Sequence, residues 1–386
     1  MQPAKKAGRQ PGLKIGVLYG GRSGEHDVSL CSAASVVAAL DQSKYEIVAI
    51  GIDRDGRWYV QDRPEMVADR NFGKILSLKR RGLWLVNHFE DQNKLHLYNL
   101  KSKGEKVVVD VVFPVLHGTY GEDGTLQGLL ELAMVPYVGV DVAGSAVGMD
   151  KDIAKRLLKE AGIPVVPWIT LGRQDWQKQP KKILQRAQKE LGLPVFVKPL
   201  CTGSSVGIKK VKVKEDLADA VDYAFGFDTR IMIETGIDCR EIECAVLGND
   251  QPQASVLGEI LPTHEFYSYE AKYLDPQGAK MNIPAKIPAK LSLAIRQCAV
   301  AGFKALNCNA MARVDFFLDK KTKAFYLNEI NTLPGFTSIS MYPKLWEATG
   351  TPYGKLLDQL VNLALARHRE KASIRTDGRE FNPVAL

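Results

Sequence analysis

Apolar runs alternate with helix-like stretches in the first third of the chain. The apolar runs predict strands, and the stretches rich in Ala, Val and Leu predict helices: strands at 14–19, 46–52 and 107–116, and helices at about 27–40 and 125–134. Near-continuous apolar strands that alternate with helices are typical of a parallel α/β layer. Residues 53–106 interrupt this alternation with short strand patterns, and we interpret them as an insertion.

The remainder of the chain predicts two further blocks of mixed structure. The predicted helices lie at about 151–161, 215–224, 288–306 and 351–369. The predicted strands lie at 195–198, 206–211, 230–234, 241–248, 254–261, 310–318 and 324–331. The stretch 265–284 has no regular period. We therefore predict three α/β or α+β blocks, with boundaries that divide the chain into 14–148, 149–236 and 237–369 between two polar tails, 1–13 and 370–386.

Composition places the chain among ordinary globular proteins. Of its 386 residues, 45% are hydrophobic and 25% are charged, which excludes a disordered, collagenous or coiled-coil chain. The longest near-apolar run is interrupted by Asp110 and is much shorter than the roughly 20 residues of a membrane helix. No apolar segment follows the basic N-terminus, so we expect no signal peptide.

The net charge of +8 is concentrated at the two ends of the chain. The first 14 residues carry four bases and no acid: Lys5, Lys6, Arg9 and Lys14. Charge confined to polar tails does not form a basic face that follows nucleic acid, so we expect no nucleic-acid partner and no membrane partner. The six cysteines include no C-x-x-C pair, and the histidines show no metal-ligand spacing. We therefore expect reduced thiols in a cytoplasmic protein.

The strongest candidate site is a pair of strands with polar side chains on one face. Arg313 and Asp315 share a face of the first strand, because residues two apart in a strand point the same way. Glu329 and Asn331 share a face of the second strand for the same reason. If the strands pair, their oxygen ligands suit Mg²⁺ and the arginine suits phosphoryl oxygens. A polar surface hairpin explains this pattern equally well, although the small-residue loop that follows can bring backbone N–H groups near an anion.

A Gly/Ser loop at 202–207 lies between two predicted strands, directly after Lys198. Backbone and hydroxyl donors of such a loop can cover phosphates, and Lys151 adds a second cation. The chain contains neither a Walker A motif nor G-x-G-x-x-G, which disfavours a P-loop or a nicotinamide-binding protein. Taken alone, the loop is better explained as a plain hairpin connection.

Two loops at strand ends, 19–29 and 117–124, carry further polar residues. Ligands of α/β proteins bind at the carboxyl ends of strands, and Glu25 could pair there with a substrate ammonium. Helix capping by Glu25 or Asp27 is an alternative that is compatible with this role. The aromatic and charged stretch 266–273 suits a mobile lid, with a packed surface loop as the alternative.

Together, the strand pair, the Gly/Ser loop, the two strand-end loops and the stretch 266–273 resemble segments of the D-alanine–D-alanine ligases of the ATP-grasp superfamily. The matching segments are GGRSGEHDVSL, HGTYGEDGTLQG, GMDK, VKPLCTGSSVG, FYSYEAKY, ARVDFFL and LNEINTLPGFTSIS. The resemblance implies an α/β, three-domain ATP-grasp fold. Its N-terminal parallel-sheet domain, 14–148, would bind substrate, and ATP would lie between a central domain, 149–236, and a C-terminal domain, 237–369.

The resemblance also implies roles for single residues. It implies ATP contacts for Lys151, Lys198, Ser205, Glu234, Ile237, Glu241 and Lys272. It implies two Mg²⁺ ions, with Mn²⁺ as an alternative, on Asp315, Glu329 and Asn331. It implies that a hydrogen-bonded trio closes the lid, formed by Glu25, Ser204 and Tyr273. Glu25 would also receive the ammonium of the first D-alanine. It implies that Arg313 and the Gly335 N–H stabilise the oxyanion. It also implies substrate contacts for Arg313, His117, Ser340 and Met341.

The activity that the resemblance implies is the ATP-dependent joining of two D-alanines through an acyl phosphate, for peptidoglycan precursors, by a homodimer. Thr235 and Gly236 depart from the lysine and aromatic residue that relatives often carry near the adenine, and Met341 stands where leucine is frequent. Two alternatives remain. One is an ATP-grasp ligase with D-lactate or D-serine as its second substrate, and the other is a catalytically silent ATP-binding relative. Intact catalytic segments argue against both alternatives. Ester-forming relatives typically carry a histidine where this chain has Tyr273, and a neutral tyrosine favours D-alanine over D-lactate.

Overall fold

A seven-stranded sheet forms the N-terminal part of the protein. The computed structural model describes residues 12–87, 93–102, 104–262, 279–337 and 339–375. The strands of this sheet are β1 (Leu13–Gly20), β2 (Tyr45–Ile52), β3 (Trp58–Val60), β6 (Trp84–Asn87), β7 (Leu95–Asn99), β8 (Lys106–Val109) and β9 (Val111–Val115). Within the insertion, β4 (Met66–Asp69) and β5 (Gly73–Leu76) form a separate pair.

The predicted parallel layer is present at one end of this sheet. Strand β1 pairs in parallel with both β2 and β9. Its apolar residues are buried because helices cover the sheet, among them α1 (His26–Ala39) and α2 (Thr125–Leu132). Helix α3 (Val142–Met149) follows and packs its Val147 against the core of the third sheet. The insertion lengthens the same sheet with antiparallel strands, in the order β8-β7-β6-β3-β2-β1-β9. The α/β fold class predicted from the hydrophobic pattern is thus confirmed.

The apolar run at 107–116, expected as one strand, is two strands. Strand β8 pairs antiparallel with β7, whereas β9 pairs in parallel with β1. Asp110 separates them, and its carboxylate accepts a hydrogen bond from the Lys14 backbone N–H at 2.8 Å. The single polar residue of the run therefore marks the point where the backbone passes from one strand partner to another.

A four-stranded antiparallel sheet follows in the central part of the chain. It has the order β10-β13-β11-β12 and consists of β10 (Trp168–Gly172), β11 (Val195–Pro199), β12 (Lys209–Val211) and β13 (Arg230–Thr235). Its helices are α5 (Arg173–Lys178), α6 (Pro180–Leu191) and α7 (Leu217–Ala224). The strand predicted from residue 206 begins only at Lys209, because Ser204, Ser205 and Gly207 have positive φ angles that an extended strand does not allow.

The third sheet is antiparallel and has the order β16-β15-β14-β17-β18. Its strands are β14 (Cys239–Leu247), β15 (Gln253–Pro262), β16 (Ala279–Asn282), β17 (Met311–Asp319) and β18 (Phe325–Asn331). Its helices are α4 (Lys151–Glu160), α8 (Ala289–Ala305), α9 (Met341–Ala348) and α10 (Tyr353–Ala372). Strand β16 lies inside the stretch 265–284 that was expected to be irregular. None of the helices in the described ranges is both long and apolar enough to cross a membrane.

The first and third sheets share one hydrophobic core. Leu356 and Leu360 of α10 belong to the same buried cluster as Ile15 of β1 and Met311 of β17. The central sheet has a core of its own, formed by its strands and by α5, α6 and α7. Helix α4 falls in the predicted block 149–236, but it packs with α8 of the block 237–369 in a further cluster. The domain boundaries at residues 149 and 237 therefore stay predictions.

Arg367 of α10 joins the first part of the molecule to the third. Its guanidinium donates to the carbonyl oxygen of Tyr137 at 2.8 Å, and it also donates to the Gly139 carbonyl and the Asn309 side chain. The guanidinium carbon lies 4.5 Å from the centre of the Tyr137 ring. These contacts fix the last helix against the N-terminal domain.

Arg367→Met is expected to lower the free energy of unfolding by about 2–4 kcal/mol, because several acceptors lose a charged donor while the stem volume is retained. Urea denaturation at neutral pH measures the change. Arg369→Met, on the exposed side of the same helix, is the matched control and should change the free energy by less than about 0.5 kcal/mol. Equal losses in the two variants would contradict this assignment.

Candidate active site

The hairpin of β17 and β18 carries the predicted polar face. Arg313 is in register with Asn331, and Asp315 with Glu329. The Arg313 guanidinium donates to both carboxylate oxygens of Asp315, at 2.8 and 2.7 Å. The Asn331 amide nitrogen donates to the same carboxylate at 3.0 Å. The structure thus brings together all four side chains that the two strands predicted.

Glu243 of β14 is a further member of this face that the sequence patterns did not indicate. It lies in register with Asp315, so the carboxylates of Glu243, Asp315 and Glu329 lie on three neighbouring strands. Its Oε2 lies 3.0 Å from Arg313 Nε. Burial alone lowers the pKa of Arg313, but Asp315 and Glu243 raise it well above the ordinary value. Arg313 therefore stays charged among the carboxylates.

The donor set on this face fits a magnesium ion. Two carboxylates, Asp315 and Glu329, and the amide of Asn331 supply hard oxygen ligands. In the described part of the chain, no group of three or more His, Cys, Asp or Glu side chains is arranged to hold a metal ion by itself. Mg²⁺ is usually held by one or two carboxylates together with substrate phosphates, so this smaller donor set is adequate for it.

Two lysines and one glutamate form a buried charge cluster between the central sheet and α4. Lys198 of β11 lies with its Nζ 2.5 Å from Glu234 Oε2, and Lys155 of α4 pairs with the other oxygen of that carboxylate. Burial would raise the pKa of Glu234, but the two lysines lower it to about 2. Lys198 also lies 5.8 Å from the ring centre of Phe317 on β17. The central and third sheets therefore face each other across Lys198.

Lys151 anchors the Gly/Ser loop. Its Nζ donates to the carbonyl oxygens of Thr202 at 2.7 Å and Leu200 at 3.3 Å. Burial lowers the pKa of Lys151, and the charge of Glu329 partly opposes this effect. Ser204 and Ser205, with φ of 49° and 60°, are in the left-handed region, which costs of order 1–3 kcal/mol per residue and is frequent at ligand sites.

Glu25 joins the N-terminal domain to this loop. The Ser204 hydroxyl donates to Glu25 Oε1 across 179 positions of sequence. A side chain at Gly118 or Gly203 would place its Cβ 2.6 or 2.7 Å from Glu25 Oε2, so the carboxylate would have to shift, and Gly118 also has a positive φ of 72°. The Glu25 side chain makes no capping hydrogen bond to α1, and Asp27 pairs with Arg54. The carboxylate is therefore directed at the site and does not cap its own helix.

His117 lies beside Glu25 at the end of β9. Its Nε2 is 3.0 Å from the Ser32 hydroxyl, and its Nδ1 is 3.7 Å from a carboxylate oxygen of Glu122. Burial lowers the pKa of His117, but Glu122 raises it above the ordinary value. The Phe336 N–H donates to Ser32 at 3.5 Å, which ties the loop after β18 to the N-terminal domain. Glu122 and Ser32 lie in the quoted segments or next to them, yet residue type alone gave them no role.

The loop after β18 leads into helix α9. Ser340, the residue before the first turn, makes no side-chain cap, and its hydroxyl accepts from the Thr337 N–H at 2.9 Å. A Cβ at Gly335 would lie 2.8 Å from the Ser340 hydroxyl, so the loop is closely packed here. The Met341 side chain is buried in the shared core, and only its backbone can face the site.

Two of the remaining predicted residues lie at or after the turn from β13 to β14. Ile237 lies between β13 and β14, and Glu241 of β14 is in register with Phe317. Thr235 and Gly236 donate their backbone N–H groups to Pro167 and Pro194 within the central domain. Two members of the predicted lid, Lys272 and Tyr273, lie outside the described residues.

Two facing antiparallel sheets with lysines on one and carboxylates on the other, next to a partly parallel domain, define an ATP-grasp enzyme. The protein family described as "D-ala D-ala ligase N-terminus" matches residues 14–140. The family described as "D-ala D-ala ligase C-terminus" matches residues 157–362. The chain belongs to the D-alanine–D-alanine ligase family.

Relatives of known name and structure resemble the chain over most of its length. It is 50% identical over 365 residues to the D-alanine–D-alanine ligase A of Bradyrhizobium diazoefficiens, covering 94% of this chain and 97% of that protein. The D-alanine–D-alanine ligase from Coxiella burnetii has a TM-score of 0.80 and 41% identity over 94% and 97% of the two chains. The VanG D-Ala:D-Ser ligase from Enterococcus faecalis has a TM-score of 0.78 and 35% identity over 92% and 99%.

Glu122→Gln is expected to lower the pKa of His117, because it removes the charge that raises that pKa in the buried site. The folded pKa lies above the ordinary value of 6.5, so protonated His117 stabilises the fold fully below that value. This contribution is lost as the pH rises through the folded pKa. Burial also raises the pKa of Glu122, and its charge costs most once His117 is neutral. Glu122→Gln should therefore destabilise the protein more at about pH 6 than at about pH 9.

Histidine NMR titration, with His117→Gln to assign the signal, measures the pKa, and urea denaturation at the two pH values measures stability. Glu160→Gln on the exposed end of α4 is the control and should show no such pH dependence. A His117 pKa that is the same with and without Glu122 would refute the pairing.

Proposed function

We propose that this chain uses ATP to join two D-alanine molecules into D-alanyl-D-alanine, the dipeptide of peptidoglycan precursors. ATP phosphorylates the carboxylate of the first D-alanine, and the amine of the second attacks the acyl phosphate and displaces phosphate. The observation that carries this proposal is the hydrogen bond from Ser204 to Glu25. It supports the proposal because it joins a loop suited to phosphates to a buried carboxylate suited to an amino-acid ammonium.

The cations of the central domain are assigned to ATP. Lys151 and Lys198, with Ser205 and the backbone of the Gly/Ser loop, would hold the phosphates, because ammonium groups and N–H donors bind phosphate oxygens. Glu234, Ile237 and Glu241 follow one another along β13 and β14 and would line the adenosine side. Lys272 of the predicted lid would add a further cation.

The first D-alanine is assigned to the N-terminal domain. The carboxylate of Glu25, 8% exposed, would pair with its ammonium, since a buried charge gains most from an opposite charge. His117, whose pKa is raised by Glu122 against the effect of burial, would attract its carboxylate when protonated. Both contacts orient the carboxylate toward the phosphates, and such positioning supplies most of the rate in phosphoryl transfer.

The metal-binding role belongs to Asp315, Glu329 and Asn331. These residues would hold Mg²⁺, or Mn²⁺ in its place, and the ion would supply positive charge that counters the phosphate oxygens. Arg313 already lies on the Asp315 carboxylate, so the cationic side chain and the metal ligands form one unit.

Arg313 and the Gly335 N–H are assigned to the oxyanion of the tetrahedral intermediate. Removing one donor of this kind costs about 10²–10³ in rate. The carboxylate of the second D-alanine would lie at the start of α9, where Ser340 and the backbone N–H of Met341 meet the positive end of the helix dipole. The Ser340 side chain does not cap this helix, which leaves the end suited to an anion.

The second substrate distinguishes this proposal from its relatives. Tyr273, in the trio with Glu25 and Ser204, is neutral near pH 7 because a phenol has a pKa near 10. A neutral lid does not repel an incoming ammonium, which favours D-alanine over D-lactate. A cytoplasmic homodimer that binds neither nucleic acid nor membrane remains our expectation.

We expect ADP release with D-alanine, and a product of the mass of D-alanyl-D-alanine. The test offers D-alanine, D-serine, D-lactate and L-alanine at equal concentration near pH 7 and weighs the products. D-Alanine alone should support turnover, and in mixtures the dipeptide should dominate. A majority of D-alanyl-D-lactate or D-alanyl-D-serine would assign a different second substrate, and ATP binding without ADP release would favour a silent relative.

Glu329→Gln and Asp315→Asn are each expected to lower kcat/KM by about 10² or more, because a proposed ligand of the cation loses its charge. ADP release is measured over a range of Mg²⁺ concentrations, with circular dichroism as the check on folding. Glu347→Gln, an exposed carboxylate on α9, is the matched control and should keep full activity. Unchanged turnover in a folded Glu329→Gln protein would remove this residue from the metal assignment.

A further inference from the structure

A buried lysine that the mechanism above does not use lies next to Glu234 and Lys198. Lys155 is 2% exposed, and its Nζ pairs with Glu234 Oε1. Glu234 is 1% exposed and contacts Lys198, itself 8% exposed, through its other oxygen. One carboxylate therefore bridges two ammonium groups, of which only Lys198 faces the region assigned to phosphates.

Stability alone does not account for this arrangement. Taking a lysine out of water is expensive, and buried ion pairs are often no more stabilising than well-packed apolar residues. Lys155 lies on the face of α4 that also carries the buried residues Ala154 and Leu158, where an apolar side chain would fit the pattern. Its Nζ also lies 5.2 Å from the ring centre of Trp168, so the position is enclosed on several sides.

The trio has a charge that depends on Lys155. Two ammonium groups and one carboxylate leave a net charge of one positive unit for the phosphates. Without Lys155, the carboxylate of Glu234 would neutralise Lys198 completely and draw it away from the phosphates. Burial lowers the pKa of Lys155, and Glu234 opposes this effect.

We propose that Lys155 is a positioning residue for ATP binding, which occupies one oxygen of Glu234 so that Lys198 is held in place yet keeps its charge for the nucleotide. The proposal rests on the assignment of Lys198 to ATP. The Nζ of Lys155 is held by Glu234 and lies over the ring of Trp168, and Lys155 acts through Glu234.

The experiment measures the binding of adenylyl imidodiphosphate with Mg²⁺ to the full chain by calorimetry. Lys155→Met removes the charge and keeps the length of the side chain. We expect its dissociation constant to rise about 10- to 100-fold, the value of one or two hydrogen bonds to charged groups. The KM for ATP should rise in parallel, whereas the KM for D-alanine should change by less than about twofold. Lys159→Met, exposed on the same helix, is the control and should bind as the unmodified chain does.

A double variant separates positioning from a merely structural role. In Lys155→Met combined with Glu234→Gln, the carboxylate that would neutralise Lys198 is also gone. Glu234→Gln is measured alone as well, because Glu234 is itself assigned to the adenosine side. We expect the double variant to bind the analogue more tightly than the sum of the two single losses predicts, whereas a structural role would make the two losses add. If Lys155→Met does not fold, Lys155→Gln, which can still donate to Glu234 but supplies no positive charge, should show the same rise in the dissociation constant.

Two results would overturn the proposal. One is an unchanged dissociation constant in a folded Lys155 variant, and the other is an additive loss in the double variant. A failure of the unmodified chain to bind the analogue would instead overturn the assignment of this site to ATP, so the two failures are distinguishable.

Discussion

Balance among buried charges is the constraint on which this site depends. Glu243, Asp315 and Glu329 lie on three neighbouring strands, and such carboxylates repel one another in a poorly hydrated place. Arg313 between them removes much of that repulsion and is held in return by two of the three. On the facing sheet, the negative charge of Glu234 lies between the positive charges of Lys155 and Lys198. Each charge is tolerated because its neighbours are present, so the groups function as sets.

The residues of the site come from two parts of the fold, one with a core shared by the first and third sheets and one with a core of its own. The N-terminal and third sheets share one core and are joined by α10, so Glu25 and the hairpin of β17 and β18 keep a constant relation. The central sheet has its own core and meets the N-terminal domain through the hydrogen bond of Ser204 to Glu25. An enzyme that forms an acyl phosphate must exclude water once both substrates are bound. The central sheet, with a core of its own, supplies the Gly/Ser loop that covers Glu25 at this site.

Local patterns predicted much of the architecture. The parallel strands at the start of the chain, the long helices α8 and α10, and the hairpin with Arg313 and Asp315 all follow from periodicity within one segment. The misplaced elements have local causes as well. Asp110 divides an apolar run between two strand partners, and the positive φ angle of Gly207 delays the start of β12. Helices α5 and α6 were not predicted, and α6 is mostly polar and buries only Ala187 and Leu191.

The sequence by itself determined which faces are apolar, where polar residues follow strands, and, through resemblance of its motifs, the family. Only the tertiary structure decided which charges become neighbours. Glu243 joins the site through strand register, Lys155 meets Glu234 across 79 positions, and Ser204 meets Glu25 across 179. A periodic pattern assigns a side chain to a face but not to a partner. Pairing and burial depend on contacts between segments far apart in the chain, and those contacts exist only once the whole core has formed.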